Sequence, residues 1–162
     1  MRSRVIFAGL VLVVLALVVL VVRKERVLAH GTPVLLELAP VDPRSLMQGD
    51  YMVLDYAVSR EVGQSSRPRQ GLLVLRLDAD GVGHFVRQHT PDTPLAPGEL
   101  LLGYKERDGR VRLGAESFFF QEGHAERYAG AKYGELRVAE DGSSVLVGLR
   151  SAERQPLGRD VP

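Results

Sequence analysis

The sequence contains no cysteine and no tryptophan. The first absence excludes a disulfide framework, a thiolate nucleophile and thiolate metal ligation in any compartment. Lysine is scarce, since only Lys24, Lys105 and Lys132 stand among the 21 basic residues. A catalytic lysine would have to be one of those three. Internal repeats and low-complexity tracts are missing, and so are long amphipathic helical patterns. What is present falls into two unlike parts within a chain of 162 residues, a length that suits one modest domain. An unbroken run of 18 uncharged, almost wholly aliphatic residues begins at Val5 and ends at Val22, and the remainder is polar and rich in Gly and Pro.

The formal net charge of +1 hides the same asymmetry. Arg2, Arg4, Arg23, Lys24 and Arg26, against Glu25 alone, flank the apolar run, which leaves 16 basic and 19 acidic residues beyond position 29. A nucleic-acid binder needs its cationic surplus on the folded domain, so nucleic acid is not an expected partner. As a helix, 18 residues reach ~27 Å, and snorkelling arginines at each end cover the rest of a ~30 Å hydrocarbon core. The run therefore predicts a single transmembrane anchor in residues 1–29, with the lipid bilayer as partner. A cleaved signal peptide is the competing reading, with Val27-Leu28-Ala29 as its loose cleavage site. Against it stand the length of the apolar run and the charged Arg23-Lys24-Glu25-Arg26 before the cut. Positive charges on the two flanks nearly balance, so they do not set the orientation.

Residues 30–162 read as one β-rich domain, antiparallel and sandwich or barrel-like, with one short helix. Its ~130 residues suffice for an independent core. Asp80-Gly81, Asp108-Gly109 and Asp141-Gly142 each sit between strand-like runs, and each predicts a hairpin with a two-residue turn. Pairing about Asp108-Gly109 puts Leu102, Tyr104, Val111 and Leu113 on one face and Lys105, Arg107, Arg110 and Arg112 on the other. The third hairpin gathers Leu136, Val138, Val145, Val147 and Leu149. Earlier strands are predicted over 34–39 and 51–58, loops over 59–70 and 89–98, and the short helix over 122–132, weakened by Gly123 and Gly130.

At Pro40-Val41-Asp42-Pro43-Arg44-Ser45-Leu46-Met47-Gln48-Gly49-Asp50-Tyr51-Met52-Val53-Leu54-Asp55-Tyr56 the chain resembles the bacterial GDYXXLXY family, with Gly49, Asp50, Tyr51, Leu54 and Tyr56 filling the five defining positions. Phe119-Phe120-Gln121-Glu122-Gly123-His124, then Tyr128, Ala129 and Tyr133-Gly134-Glu135-Leu136, are similar to its second recurrent region. The resemblance implies a membrane-anchored bacterial protein, and together with the apolar run it gives the expectation of a single span in the inner (cytoplasmic) membrane with an extracytoplasmic C-terminal domain. It also implies a multi-pass membrane protein as partner, and it brings no activity. Physically, Gly49 and Asp50 form a turn into a strand. Along that strand Tyr51 and Val53 face one way and Leu54 and Tyr56 the other unless a bulge intervenes. The motif is thus a strand entry with core packing or, on a functional reading, an exposed binding edge at Asp50 and Tyr51.

The same Gly-Asp-aromatic strand after an anchor resembles type I signal peptidases, but the likeness stops at the chemistry. The expected Ser-Met nucleophile is replaced by Pro40-Val41-Asp42, Ser45 lacks a following methionine, and neither Lys105 nor Lys132 has the apolar setting that a lysine base needs. His30, His84, His89 and His124 show no metal-ligand spacing, so no metal or other cofactor is expected. The predicted hairpin places His84 on the face of Leu73, Leu75 and Val86 as a packed histidine, while His124 near Glu122 and Glu126 is the better acid–base candidate. The four cations about Asp108-Gly109 oppose like charges directly, which destabilises a strand pair. They read either as a solvated face or as a seat for an anionic partner or lipid head group. The expected function is a membrane-anchored extracytoplasmic interaction or accessory domain. The alternatives are an envelope-ligand-binding domain, or a hydrolase with a long-range site at Asp50, Glu122 and His124.

Overall fold

In a computed structural model, residues 2–39, 47–48, 51–62 and 68–158 are described. A 29-residue helix, α1 (Arg2–His30), runs with one intervening residue, Gly31, into strand β1 (Thr32–Glu37). Then come β2 (Met47–Gln48), β3 (Tyr51–Val53), helix α2 (Ala57–Val62), β4 (Gln70–Leu77), β5 (Gly83–Gln88), β6 (Glu99–Arg107), β7 (Arg110–Arg112) and β8 (Ser117–Phe119). A 3-10 turn (Ala125–Tyr128), β9 (Tyr133–Val138) and β10 (Ser144–Arg150) complete the order. The fold is mostly antiparallel β with one main helix. Its strands form three sheets, β1-β9-β10, β2-β3-β8 and β5-β4-β6-β7. Single bridges stitch them together, Leu35 to Val82 and Leu38 to Tyr56.

All three sheets and α2 contribute to one core, whose centre holds Leu36, Met52, Tyr56, Val62, Leu73, Leu75, Leu102, Leu136 and Leu149. The α1 side chains of Ile6, Phe7 and residues 10–26 are exposed, and among the described residues of the helix only Val27 is buried. Among the described residues no helix is long and apolar enough to cross a membrane. The transmembrane assignment of the run is therefore not a finding of the structure, which shows the helix and its exposed apolar surface.

The three hairpins form, but only one has the expected turn. About Asp108-Gly109, Arg107 pairs with Arg110 and Lys105 with Arg112, and both turn residues have positive φ, 53° and 74°. In the other two only the glycine is left-handed, with φ of 79° at Gly81 and 81° at Gly142. Asp78 bonds Val82 and Ala139 bonds Ser143 around three-residue loops, the arrangement of a type I turn followed by a glycine bulge. One added loop residue shifts the register by one and reverses which face each side chain takes. His84 thus pairs with Arg76 and points outward, its side chain 62% exposed and bonded to Asp78, while Phe85 opposite Leu75 packs on the core. This corrects the packed-histidine expectation. In the third hairpin Leu146 rather than Val145 or Val147 meets Leu136, and a bulge between Leu146 and Gly148 restores Leu149 to the inner face.

Two further expectations are corrected. The strand predicted over 51–58 ends at Val53 and gives way to α2, whose Val58 and Val62 are buried. The helix predicted over 122–132 is reduced to the turn Ala125–Tyr128, as its glycines and short length would favour.

Candidate functional site

The motif strand lies where the sheets converge. Gly49 and Asp50 lie outside the described residues. Met52, Leu54 and Tyr56 are buried, Tyr51 is half-buried and Val53 exposed, so the two motif tyrosines occupy opposite faces. Leu54 donates its N–H to the Glu116 carbonyl at 2.8 Å, and the Asp55 carbonyl accepts from Ala39 at 2.7 Å, joining the segment to both its neighbours. The Tyr56 hydroxyl, on a residue only 1% exposed, donates to the Ala115 carbonyl at 2.7 Å. Burial, helped by the Glu116 charge, pushes this phenol well above its ordinary range.

Tyr56 also explains a glycine in the second recurrent region. A Cβ on Gly134 would stand 3.0 Å from Tyr56 Cε1 and 3.1 Å from its oxygen, so the ring lies on backbone that only glycine leaves open. Tyr104 lies over its cross-strand partner Gly71 in the same way, at 3.0 Å from Cε1 and 3.1 Å from the oxygen. Tyr51 pairs across the strands with Phe119, ring centroids 5.7 Å apart. Phe118 and Phe120 turn the other way and pack on Tyr128 at 5.0 and 5.3 Å. The first motif and the second recurrent region, far apart in sequence, are therefore one packed unit. Residues matched by a family model for GDYXXLXY proteins span 13–149. The chain belongs to the GDYXXLXY family. No curated protein and no solved structure matches it.

In this GDYXXLXY protein the remaining candidates fall into separate places. Glu122 and Gly123 are exposed and His124 half-buried in one turn, where the His124 N–H bonds the Gln121 carbonyl. Among the described residues no hydrogen bond or ion pair joins Glu122 to His124, and no group of metal-ligating side chains is found. Lys105, Arg107 and Arg110 are exposed and Arg112 half-buried on the β6–β7 hairpin. Arg110 and Arg112 border a groove of about 510 Å³ shared with Val53, Asp55, Arg60 and Glu116. Asp55 and Arg60 form an ion pair at 2.8 Å along its wall.

Sequence reasoning overlooked Ala115 and Phe118. The run Phe118-Phe119-Phe120 carried a usable signal, because three consecutive aromatics in a strand must send the middle ring to the face opposite its neighbours. Nothing in the sequence pointed to the Ala115 carbonyl as the partner of Tyr56.

Proposed function

We propose that this GDYXXLXY protein is a membrane-anchored interaction domain, held in the bacterial cytoplasmic membrane by α1 and docking a multi-pass membrane protein on the extracytoplasmic side. The observation that carries the docking reading is the aromatic face of the motif strand. Phe119 is 74% exposed on β8, an edge strand among the described residues, with the ring of Tyr51 tilted against it and exposed Val53 on the same strand as Tyr51. Large aromatic side chains clustered at the surface are characteristic of interface centres. Support for the anchor comes from the sequence run, where 15 of 18 residues are Val, Leu, Ile or Phe. At about −0.3 to −0.6 kcal/mol each, insertion gains of order 5 kcal/mol or more.

The test is in-cell crosslinking and mass spectrometry of the full-length protein beside a Phe119→Asp variant. The expected result is a multi-pass membrane protein captured by the wild type and lost from the variant, whose thermal unfolding is unchanged. Capture of the protein alone in both samples would refute the accessory reading.

A further inference from the structure

Beside the aromatic face, the hairpin cations and the base of α1 face a common groove. Lys24, Lys105, Arg107 and Arg112 line an open groove of about 1130 Å³ that is bounded on its other side by Asp141, Ser143 and Ser144 of the β9–β10 turn. Lys24 donates to the Ser144 carbonyl at 3.2 Å, which ties the helix to this turn. It stands two residues beyond Val22, where the apolar run ends, or ~3 Å along the helix axis. With α1 in a bilayer, the groove therefore opens at the depth of the lipid head groups.

The charges inside the groove are unevenly satisfied. Lys105 opposes Arg112 and Arg107 opposes Arg110 across the hairpin, and among the described residues none of these four side chains has a hydrogen bond or an ion pair. The groove's carboxylates are engaged locally: Asp141 accepts from the Ser143 N–H at 2.9 Å and Glu116 from the Gly114 N–H at 2.8 Å, while Asp108 sits in the turn itself. Like charges held in register are destabilising, the groove's four cations outnumber the carboxylates of Asp108, Glu116 and Asp141, and a phosphodiester placed between the cations relieves the repulsion with charge-assisted bonds.

We propose that this groove seats the head group of an anionic phospholipid, of the phosphatidylglycerol type, from the same bilayer that holds α1. Lys24 reaches it from the helix, and Lys105, Arg107 and Arg112 reach it from the hairpin. The lipid then fixes the angle between domain and membrane, which sets where the aromatic face of Tyr51 and Phe119 is presented. This inference rests on the membrane-anchored reading.

The experiment uses full-length protein reconstituted in vesicles of phosphatidylcholine, with or without phosphatidylglycerol, then extracted in mild detergent and weighed by native mass spectrometry. The comparison is with a Lys105→Gln/Arg112→Gln variant, which leaves Arg23, Lys24 and Arg26 in place, and with Arg107→Gln as a milder second variant. Alkaline carbonate washing of the vesicles tests the anchor separately. The expected result is carbonate-resistant protein in both lipids, phosphatidylglycerol retained over phosphatidylcholine by the wild type, and retention falling about tenfold in the double variant. Carbonate-resistant protein with equal retention in wild type and variants overturns the groove and leaves the anchor standing. Release of the wild type by carbonate overturns both. Displacement of the retained lipid by millimolar inorganic phosphate would show a free-anion site and overturn the lipid assignment.

Discussion

Replacing Tyr56 by Phe removes one oxygen from the place where the three sheets meet. The ring remains to fill the core beside Gly134, and what is lost is the 2.7 Å bond to the Ala115 carbonyl. A hydrogen bond contributes about 0.5–1.5 kcal/mol net, and an acceptor left buried without a partner costs about 1–3 kcal/mol. The expected loss is therefore about 1–2 kcal/mol. For a domain of this size that lowers Tm by roughly 3–10 °C. Urea unfolding of the full-length protein in mild detergent, followed by far-UV circular dichroism, reads the difference as a shift in midpoint at constant slope. The same hydroxyl predicts a dependence on pH. Its folded pKa is raised, so its contribution is complete below the ordinary phenol value of about 10 and is lost as pH rises from there through the folded value. Wild type should accordingly lose more stability than Tyr56→Phe above pH ~10. A loss smaller than ~0.3 kcal/mol together with identical alkaline behaviour would refute a buried, bonded hydroxyl.

Two other perturbations separate the forces that hold the fold. Gly142→Ala combines a left-handed backbone, φ 81°, with a Cβ 2.6 Å from Leu72 Cδ2 and 3.2 Å from the Gly103 nitrogen, whereas Gly109→Ala has φ 74° and open space. Urea midpoints should show a loss of about 2–3 kcal/mol for the first and about 1–2 kcal/mol for the second; equal losses would remove the crowding argument. Glu99 is held down to about 2 by the Arg87 guanidinium, by the Ala96 N–H and by Arg76. Since its folded pKa is depressed, the stability it contributes is present above the ordinary value of ~4.3 and is lost as pH falls through about 2. Acid titration of Glu99→Gln should show a shallower decline over that window than wild type, and parallel curves would exclude Glu99 as a source of acid sensitivity.

The sequence was informative wherever a local rule acted alone. Asp108-Gly109 dictated its own two-residue turn, and the alternation of Leu102 and Tyr104 with the neighbouring cations carried through to the faces observed. Alternation likewise assigned Tyr51 and Tyr56 to opposite faces. At Asp80-Gly81 and Asp141-Gly142 the same dipeptide gave a three-residue loop, and one extra residue was enough to turn His84 outward and bring Leu146 inward. A dipeptide specifies that the chain turns, but not how many residues turn with it. The register is settled by which arrangement buries more apolar surface, and that depends on the other sheets.

The candidate site divides in the same way. The composition, the apolar run, the hairpins and the family motif were present in the order of the residues, because each depends on neighbours within a few positions. The meeting of Tyr56 with Gly134 and of Tyr51 with Phe119, and the placing of Lys24 and the β6–β7 cations around one groove, were decided by tertiary structure alone. Those contacts join segments separated by up to about 90 residues, and packing around a shared core, not local backbone preference, brings them together.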